Sequence, residues 1–422
     1  MGRKILVTGL GLITSIGNDK ATVTKSLIDL QHGFEKELLL DNPSLPVSVF
    51  GTIKGFETSS QRWIDWEFPE DYSFDVSCLK SMAPHGLYAL CAMLQAISNS
   101  SLSPEEISNP ETGLFCASAG SPFLLRNQLN TLMSSGGIRS NPMGILNSIS
   151  GTLNFNLGTY FKIHGASSGF VSACTSTSHA LAYAYEEILS GRQKRMFVVG
   201  AEDLTAETFL PFSVMGALSR NDNPDKASRP FDSSRDGFVG TGGATVMILE
   251  EKEEALRRGA PIFAEMAGWG QATDGYNLAS PHPEGKGLCM AMENSFTSSG
   301  IFAGEVNYIN AHATSTPTGD IAESLAIKSV FSDQGHRPFV SSTKAITGHG
   351  LSMAGVLEAA ICTLAISEGF IPGAAHISDV DPSCSHLNLP KNTIQQSPNV
   401  VMSNGSGFGG TNVSLIFRRW SN

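Results

Sequence analysis

The sequence predicts an α/β protein of two similar halves with largely parallel sheets. Short, continuous apolar runs recur along the chain, and helical stripes separate them, which is the pattern of strands covered by helices on both faces. The 422 residues exceed one ordinary domain. Each half also finishes in a Gly-rich segment. Taken in order, Lys4–Val7 reads as a short strand ending in Gly-rich sequence. Met82–Ile97 reads as a helix rich in Leu, Ala and Met. Met196–Gly200 and Thr245–Leu249 read as buried strands. A charged helix, Glu250–Arg258, stops at Gly259 and Pro261, and a boundary there divides the chain into residues 1–255 and 256–422. Ile262–Ala267, Val306–Asn310 and Val413–Phe417 are the strands of the second half. Similarity between the halves is too weak to demonstrate a duplication from sequence.

Composition narrows the function. Hydrophobic residues make up 41% and charged residues only 16%, against ~25% charged in ordinary proteins, which points to surface buried in an oligomer. Acidic residues outnumber basic ones, 39 to 28, and the net charge of −11 argues against nucleic acid as the main partner. No segment reaches the ~18 uninterrupted apolar residues of a membrane span. The N-terminal apolar run is broken by Thr8, Gly9, Gly11 and Thr14, so it reads as strand and turn rather than export signal. Seven scattered cysteines without CxxC pairs fit a reducing cytoplasm.

Four segments carry chemistry. Cys174, in SACTSTSHALAYAYEEIL, follows a β-prone run and precedes a helical stripe of Leu181, Tyr185 and Ile188. A cysteine at a helix N-terminus meets unpaired N–H groups, which favour a thiolate and can hold an oxyanion. An inert buried cysteine is the competing reading. His312 lies in a loop after a strand, where α/β sites are usually built, with Asp320 and Glu323 opening the next helix. Lys344 and His349 lie in STKAITGHGLSMAG, ahead of a long apolar helix. Glu358 falls on that helix's buried stripe, where a carboxylate needs a partner. Lys344, a monovalent cation, or the backbone near Asn310 and Ser403 are its candidate partners. Last, SNGSGFGGTN places glycines around Phe408, so backbone can approach a ligand there. One thiol, two histidines and a lysine form an inventory for acyl transfer and carbon–carbon bond formation. A dinucleotide fingerprint is missing: after Gly9 and Gly11, Thr14 stands where a third glycine belongs.

With these residues the chain resembles the beta-ketoacyl-acyl-carrier-protein synthases. SACTSTSHA, MGALS, RPFDSSRDGFV, HATSTPTGD, STKAITGHGLSMAG and SNGSGFGGTN occur in that family's order across nearly the whole chain. The resemblance implies a thiolase fold, with duplicated halves in a five-layer αβαβα sandwich. It implies decarboxylative Claisen condensation of an acyl thioester with a malonyl-carrier, in fatty acid or specialised polyketide or polyene synthesis. It implies Cys174 as nucleophile, His312 and His349 as the two histidines, and Lys344, Glu358 and Phe408 in support. Ser406, Gly407, Gly409, Thr314 and Thr316 are the expected pocket residues. The chemistry needs no cofactor and no catalytic metal, with a structural monovalent cation near Asn310, Glu358 and Ser403 as an option.

The expected partners are an acyl carrier protein and a second copy of the chain, or a different chain in a heterodimer. Arg62, Lys80, Arg126 and Arg139 are the carrier-docking candidates. Ser406 stands where the family usually has Phe, Ala313 where Gly is common after the histidine, and Ser352 and Met353 where smaller residues follow the GH pair. The first departure implies a different acyl pocket and a specialised acyl chain. Rival readings fit less well. A degradative thiolase resembles a two-cysteine site, a chalcone-like synthase a Cys-His-Asn set, a papain-like hydrolase only Cys and His, and a non-catalytic chain-length factor lacks the nucleophile.

Overall fold

Ten strands form one continuous mixed sheet in the computed structural model, which describes residues 2–40, 42, 44–331 and 337–421. In chain order they are β1 (Ile5–Ile13), β2 (Thr112–Ala117), β3 (Ser167–Gly169), β4 (Arg195–Glu202), β5 (Gly243–Glu251), β6 (Ala264–Thr273), β7 (Tyr308–Asn310), β8 (Phe339–Ser341), β9 (Val400–Gly407) and β10 (Thr411–Arg418). Their spatial order is β8-β7-β9-β10-β6-β1-β5-β4-β2-β3. Each half therefore repeats one order, third-second-fourth-fifth-first. This is the duplication that residue identities had hidden. The two halves join where Ile5–Val7 of β1 pairs antiparallel with Ala264–Met266 of β6.

The expectation of largely parallel sheets is corrected. Parallel pairing is confined to β2 with β3 and β4, and to β7 with β8 and β9. The other neighbours are antiparallel, including β4 with β5 and β9 with β10. The chain makes a long excursion between β4 and β5 and returns reversed. A tight Gly-rich turn joins β9 to β10, and a turn that short permits only antiparallel pairing.

Among the described residues the six longest helices are α1 (Pro84–Ser100), α2 (Pro122–Ser135), α3 (Ser176–Leu189), α4 (Lys286–Ser299), α5 (Pro317–Phe331) and α6 (Ala354–Glu368). α1 covers the outer face of the first half, and α4 that of the second. α3 and α6 pack on each other between the halves. Alternation along the strands divides the core accordingly. Val198, Met247 and Leu249 share the central core with Leu181 of α3 and Leu357 of α6, while Phe197, Val246 and Ile248 face α1. Burying each such side chain stabilises the fold by ~1.5–3 kcal/mol. The stretch Leu351–Glu368 is long and apolar enough to cross a membrane, but it is buried as this central helix.

Two local readings also change. β1 continues through Gly9 and Gly11 instead of stopping at Val7. A Cβ on Gly11 would sit 1.8 Å from the Ala92 carbonyl oxygen, so the glycines let α1 lie close against the strand. Glu250 belongs to β5, not to a helix. It is fully buried and binds both Arg195 and Arg258, whose guanidinium groups satisfy its carboxylate.

Candidate active site

The backbone before α3 turns sharply to present the thiol. Ala173 has a φ of +51°, Cys174 follows, and the helix begins at Ser176. Gly407 packs against this turn, since a Cβ there would lie 2.9 Å from the Ser172 oxygen and 3.3 Å from the Cys174 nitrogen. That close approach requires glycine. Cys174 thus stands at the helix N-terminus, as expected, where burial opposes the thiolate. Burial outweighs every other influence and pushes the thiol up to about 12, with Lys344 pulling the other way.

His349 Nε2 lies 3.1 Å from Cys174 Sγ. The His312 and His349 rings stand 5.6 Å apart, edge to face. The ligating atoms of all three residues fall within 4.8 Å of one another. Burial, and then the Lys344 charge, hold both histidines well below the usual imidazole range, so both are neutral. Lys344 Nζ lies 3.4 Å from His312 Nδ1. An ammonium can only donate, so Nδ1 accepts and the ring proton of His312 resides on Nε2.

Of the three partners open to Glu358, Lys344 is the one found. Their ion pair is almost fully buried. Burial pushes the Glu358 carboxyl up to about 7, against the pull of Lys344. Its second oxygen, Oε2, is buried without a partner among the described residues. Asn310, by contrast, is engaged with Thr343, accepting from its N–H at 3.3 Å.

Residue reasoning missed how the His312 loop is held. Glu323 does not merely open α5. Its buried carboxylate accepts the His312 N–H at 3.0 Å and the Ala313 N–H at 2.6 Å, and takes Asn404 Nδ2 at 3.3 Å. Asp320 likewise accepts the Phe231 N–H and pairs with Arg235. Two carboxylates three residues apart, on a helix flanked by apolar positions, were the available signal.

A chamber of about 290 Å³ opens over Cys174, His312 and His349. Thr314, Thr316, Ser406 and Gly407 line it as expected. Gly409 does not, which corrects that expectation. At φ +79° it turns away, its N–H donates to the Leu278 oxygen at 2.7 Å, and a Cβ there would meet nothing within 4 Å. Gly410 lines the wall in its place. Phe408 is 38% exposed at the mouth, 6.0 Å from the Phe212 ring. The Ser406 hydroxyl donates to Asn412 Oδ1 at 2.7 Å, and Asn412 Nδ2 donates to Asp274, so this wall is polar where an aromatic ring was the family expectation.

Arg62, Lys80, Arg126 and Arg139 are all exposed. Lys80 Nζ stands 5.8 Å over the Trp63 ring, next to Arg62. Arg126 is neutralised by Glu207.

A thiol, two neutral imidazoles and a buried lysine–glutamate pair, set at the junction of two repeated half-sheets, define a thiolase-fold condensing enzyme. Comparison with known proteins agrees. Residues 2–255 match the model of the beta-ketoacyl synthase N-terminal domain, and residues 263–378 that of the C-terminal domain. The chain belongs to the beta-ketoacyl synthase family. It is 36% identical to 3-oxoacyl-[acyl-carrier-protein] synthase 1 of Escherichia coli, covering 99% of each chain. It is 35% identical to 3-oxoacyl-[acyl-carrier-protein] synthase 2 of Synechocystis, covering 99% of this chain and 98% of that protein. Among solved structures, the ishigamide ketosynthase/chain length factor superposes with a TM-score of 0.88 at 26% identity over the whole of both chains.

Proposed function

We propose that the protein elongates acyl chains by decarboxylative condensation with a malonyl group on an acyl carrier protein. The observation that carries this reading is the convergence of Cys174, His312 and His349 under one chamber. In the first half-reaction the Cys174 sulfur attacks an acyl-carrier thioester. The carrier thiol departs with the proton, and acyl-Cys174 remains. The N–H groups of Cys174 and Phe408 would hold the oxyanion. The malonyl-carrier then enters. Its carboxylate leaves as carbon dioxide, and the two histidines donate to the thioester oxygen, which takes up enolate charge. The enolate carbon attacks acyl-Cys174 and forms the new carbon–carbon bond. The Cys174 thiolate is expelled and takes up a proton, and the product is a 3-oxoacyl-carrier. We read the chain as dividing at residues 255 and 256, with the nucleophile in the first part and both histidines in the second.

Neutral imidazoles fix the pH dependence. A histidine whose pKa is lowered on folding stays uncharged until the pH falls well below 6.5. Malonyl decarboxylation should therefore be flat from about pH 8 to 6, with its acid limb lower still. A limb centred at the ordinary histidine value would contradict this.

The substrate reading follows from Ser406. A small hydroxyl where a phenyl group is the alternative widens the chamber, which favours bulky, unsaturated or aromatic acyl groups. Ser406→Phe should lower kcat/KM for such groups about tenfold relative to short saturated ones. Equal effects on both would remove the argument.

A second copy of the chain is the proposed partner subunit. Edge strand β3 is exposed along its length, Val171 just after it is 81% exposed, and Met133 and Ile138 elsewhere in the same half are 83% and 91% exposed. Monomers would leave these apolar side chains and the strand edge open to water and to unwanted pairing. Light scattering at micromolar concentration should give twice the chain mass, and a monomer would refute it. Arg62 and Lys80 are the proposed carrier-docking pair, and the cytoplasm is the proposed location. The same edge would serve a heterodimer in which this chain supplies the cysteine.

A further inference from the structure

The segment that carries His349 is strained. Gly348 has a φ of +78°, which suits glycine. Leu351, two residues after His349, has a φ of +48°. The left-handed region costs an ordinary residue roughly 1–2 kcal/mol, and it persists where neighbouring contacts over-determine it. Some of those contacts are backbone: His349 N–H donates to Val239 at 2.7 Å, and Thr241 N–H donates to His349 at 3.2 Å.

Leu351 itself packs in a core cluster with Phe209 and Phe238, and further contacts are made by the next residue, Ser352. Its carbonyl accepts from the Thr177 hydroxyl at 2.7 Å, and Thr177 lies three residues after Cys174. The same hydroxyl accepts the Val356 N–H at 3.0 Å. The Ser352 hydroxyl donates to Glu202 at the end of β4. Glu202 is fully buried and also accepts the Ala119 N–H at 3.1 Å. One serine thus ties the His349 segment to the Cys174 helix and to the strand beside it. Neither Ser352 nor Glu202 lines the chamber, so both lie behind its wall. Burial pushes the Glu202 carboxyl up to about 7, and the Ser352 hydroxyl pulls it back, which is the behaviour of a carboxylate dependent on that donor.

We propose that Ser352, anchored on Glu202, is a positioning residue that locks the left-handed turn at Leu351 and so holds His349 Nε2 against Cys174 Sγ. This rests on His349 acting at the thioester. The test measures malonyl decarboxylation by the full chain in Ser352→Ala, Ser352→Gly and Ser352→Thr, with His349→Ala in parallel. The first two should lower kcat about tenfold and leave KM for the malonyl-carrier within about twofold. Ser352→Thr, which keeps a hydroxyl, should recover most of the loss. Ser352→Ala combined with Glu202→Gln should lose no more than the worse single variant, because both act through one bond. Wild-type kcat in both Ser352→Ala and Ser352→Gly, or additive losses in the double variant, would overturn the proposal. Full decarboxylation by His349→Ala would overturn the catalytic reading instead.

Discussion

Cys174→Ala should lower condensation by ~10⁴-fold or more, because the covalent acyl intermediate has no other nucleophile to form on. Among the described residues no second thiol is placed to substitute, since the chamber is lined by Cys174 alone of the seven cysteines. The fold should survive. Cys174 borders the chamber, and its turn is held by backbone and hydroxyl groups, with the Thr175 N–H donating to Ser172 at 3.2 Å. Cys174→Gln should retain malonyl decarboxylation, since His312 and His349 remain and enolate formation does not need the sulfur. A Cys174→Ala protein that still condenses at the native rate would sink the assignment.

Lys344→Ala should have the second large effect, on stability and chemistry together. The ammonium is buried between Glu358 and His312. Removing it leaves a buried carboxylate uncompensated, and breaking such a pair from one side costs about 3–5 kcal/mol. Denaturant unfolding should show a loss of that order, and replacing both partners by apolar residues should recover much of it. The chemical effect has a sign of its own. The lysine charge helps hold both histidines below their ordinary range, so its removal should move the acid limb of decarboxylation to higher pH. It also removes the donor that keeps the His312 proton on Nε2. A variant as stable as the wild type, with an unmoved limb, would show that the pair is incidental.

Much of this was legible before any coordinates. The apolar runs at Met196–Gly200, Thr245–Leu249 and Val413–Phe417 all became strands, each extended at its ends where hydrogen bonding continues past the apolar stretch. The helix Met82–Ile97 appeared as Pro84–Ser100. Cys174, His312 and His349 were visible as separate motifs, and their union was an expectation that the geometry now supports. What stayed hidden has physical causes. Strand direction is set by how the chain returns after a long excursion, which no local pattern records, so the mixed sheet was missed. The duplication lies in strand order, not in residue identities. The buried roles of Glu250 and Glu202 stayed hidden because burial of a carboxylate depends on partners far away in sequence: Arg195 for the first, Ser352 for the second. The upward push of burial on the Cys174 thiol also stayed hidden, because desolvation, unlike a helix terminus, leaves no mark in the sequence.

The most direct measurement is to mix the protein with an acyl-carrier, digest it, and weigh its cysteine peptides. The acyl mass should appear on the Cys174 peptide alone and vanish when malonyl-carrier is added, as a 3-oxoacyl product two carbons longer is released. Absence of any acyl adduct, or an adduct on a different cysteine that malonyl-carrier discharges, would contradict the account.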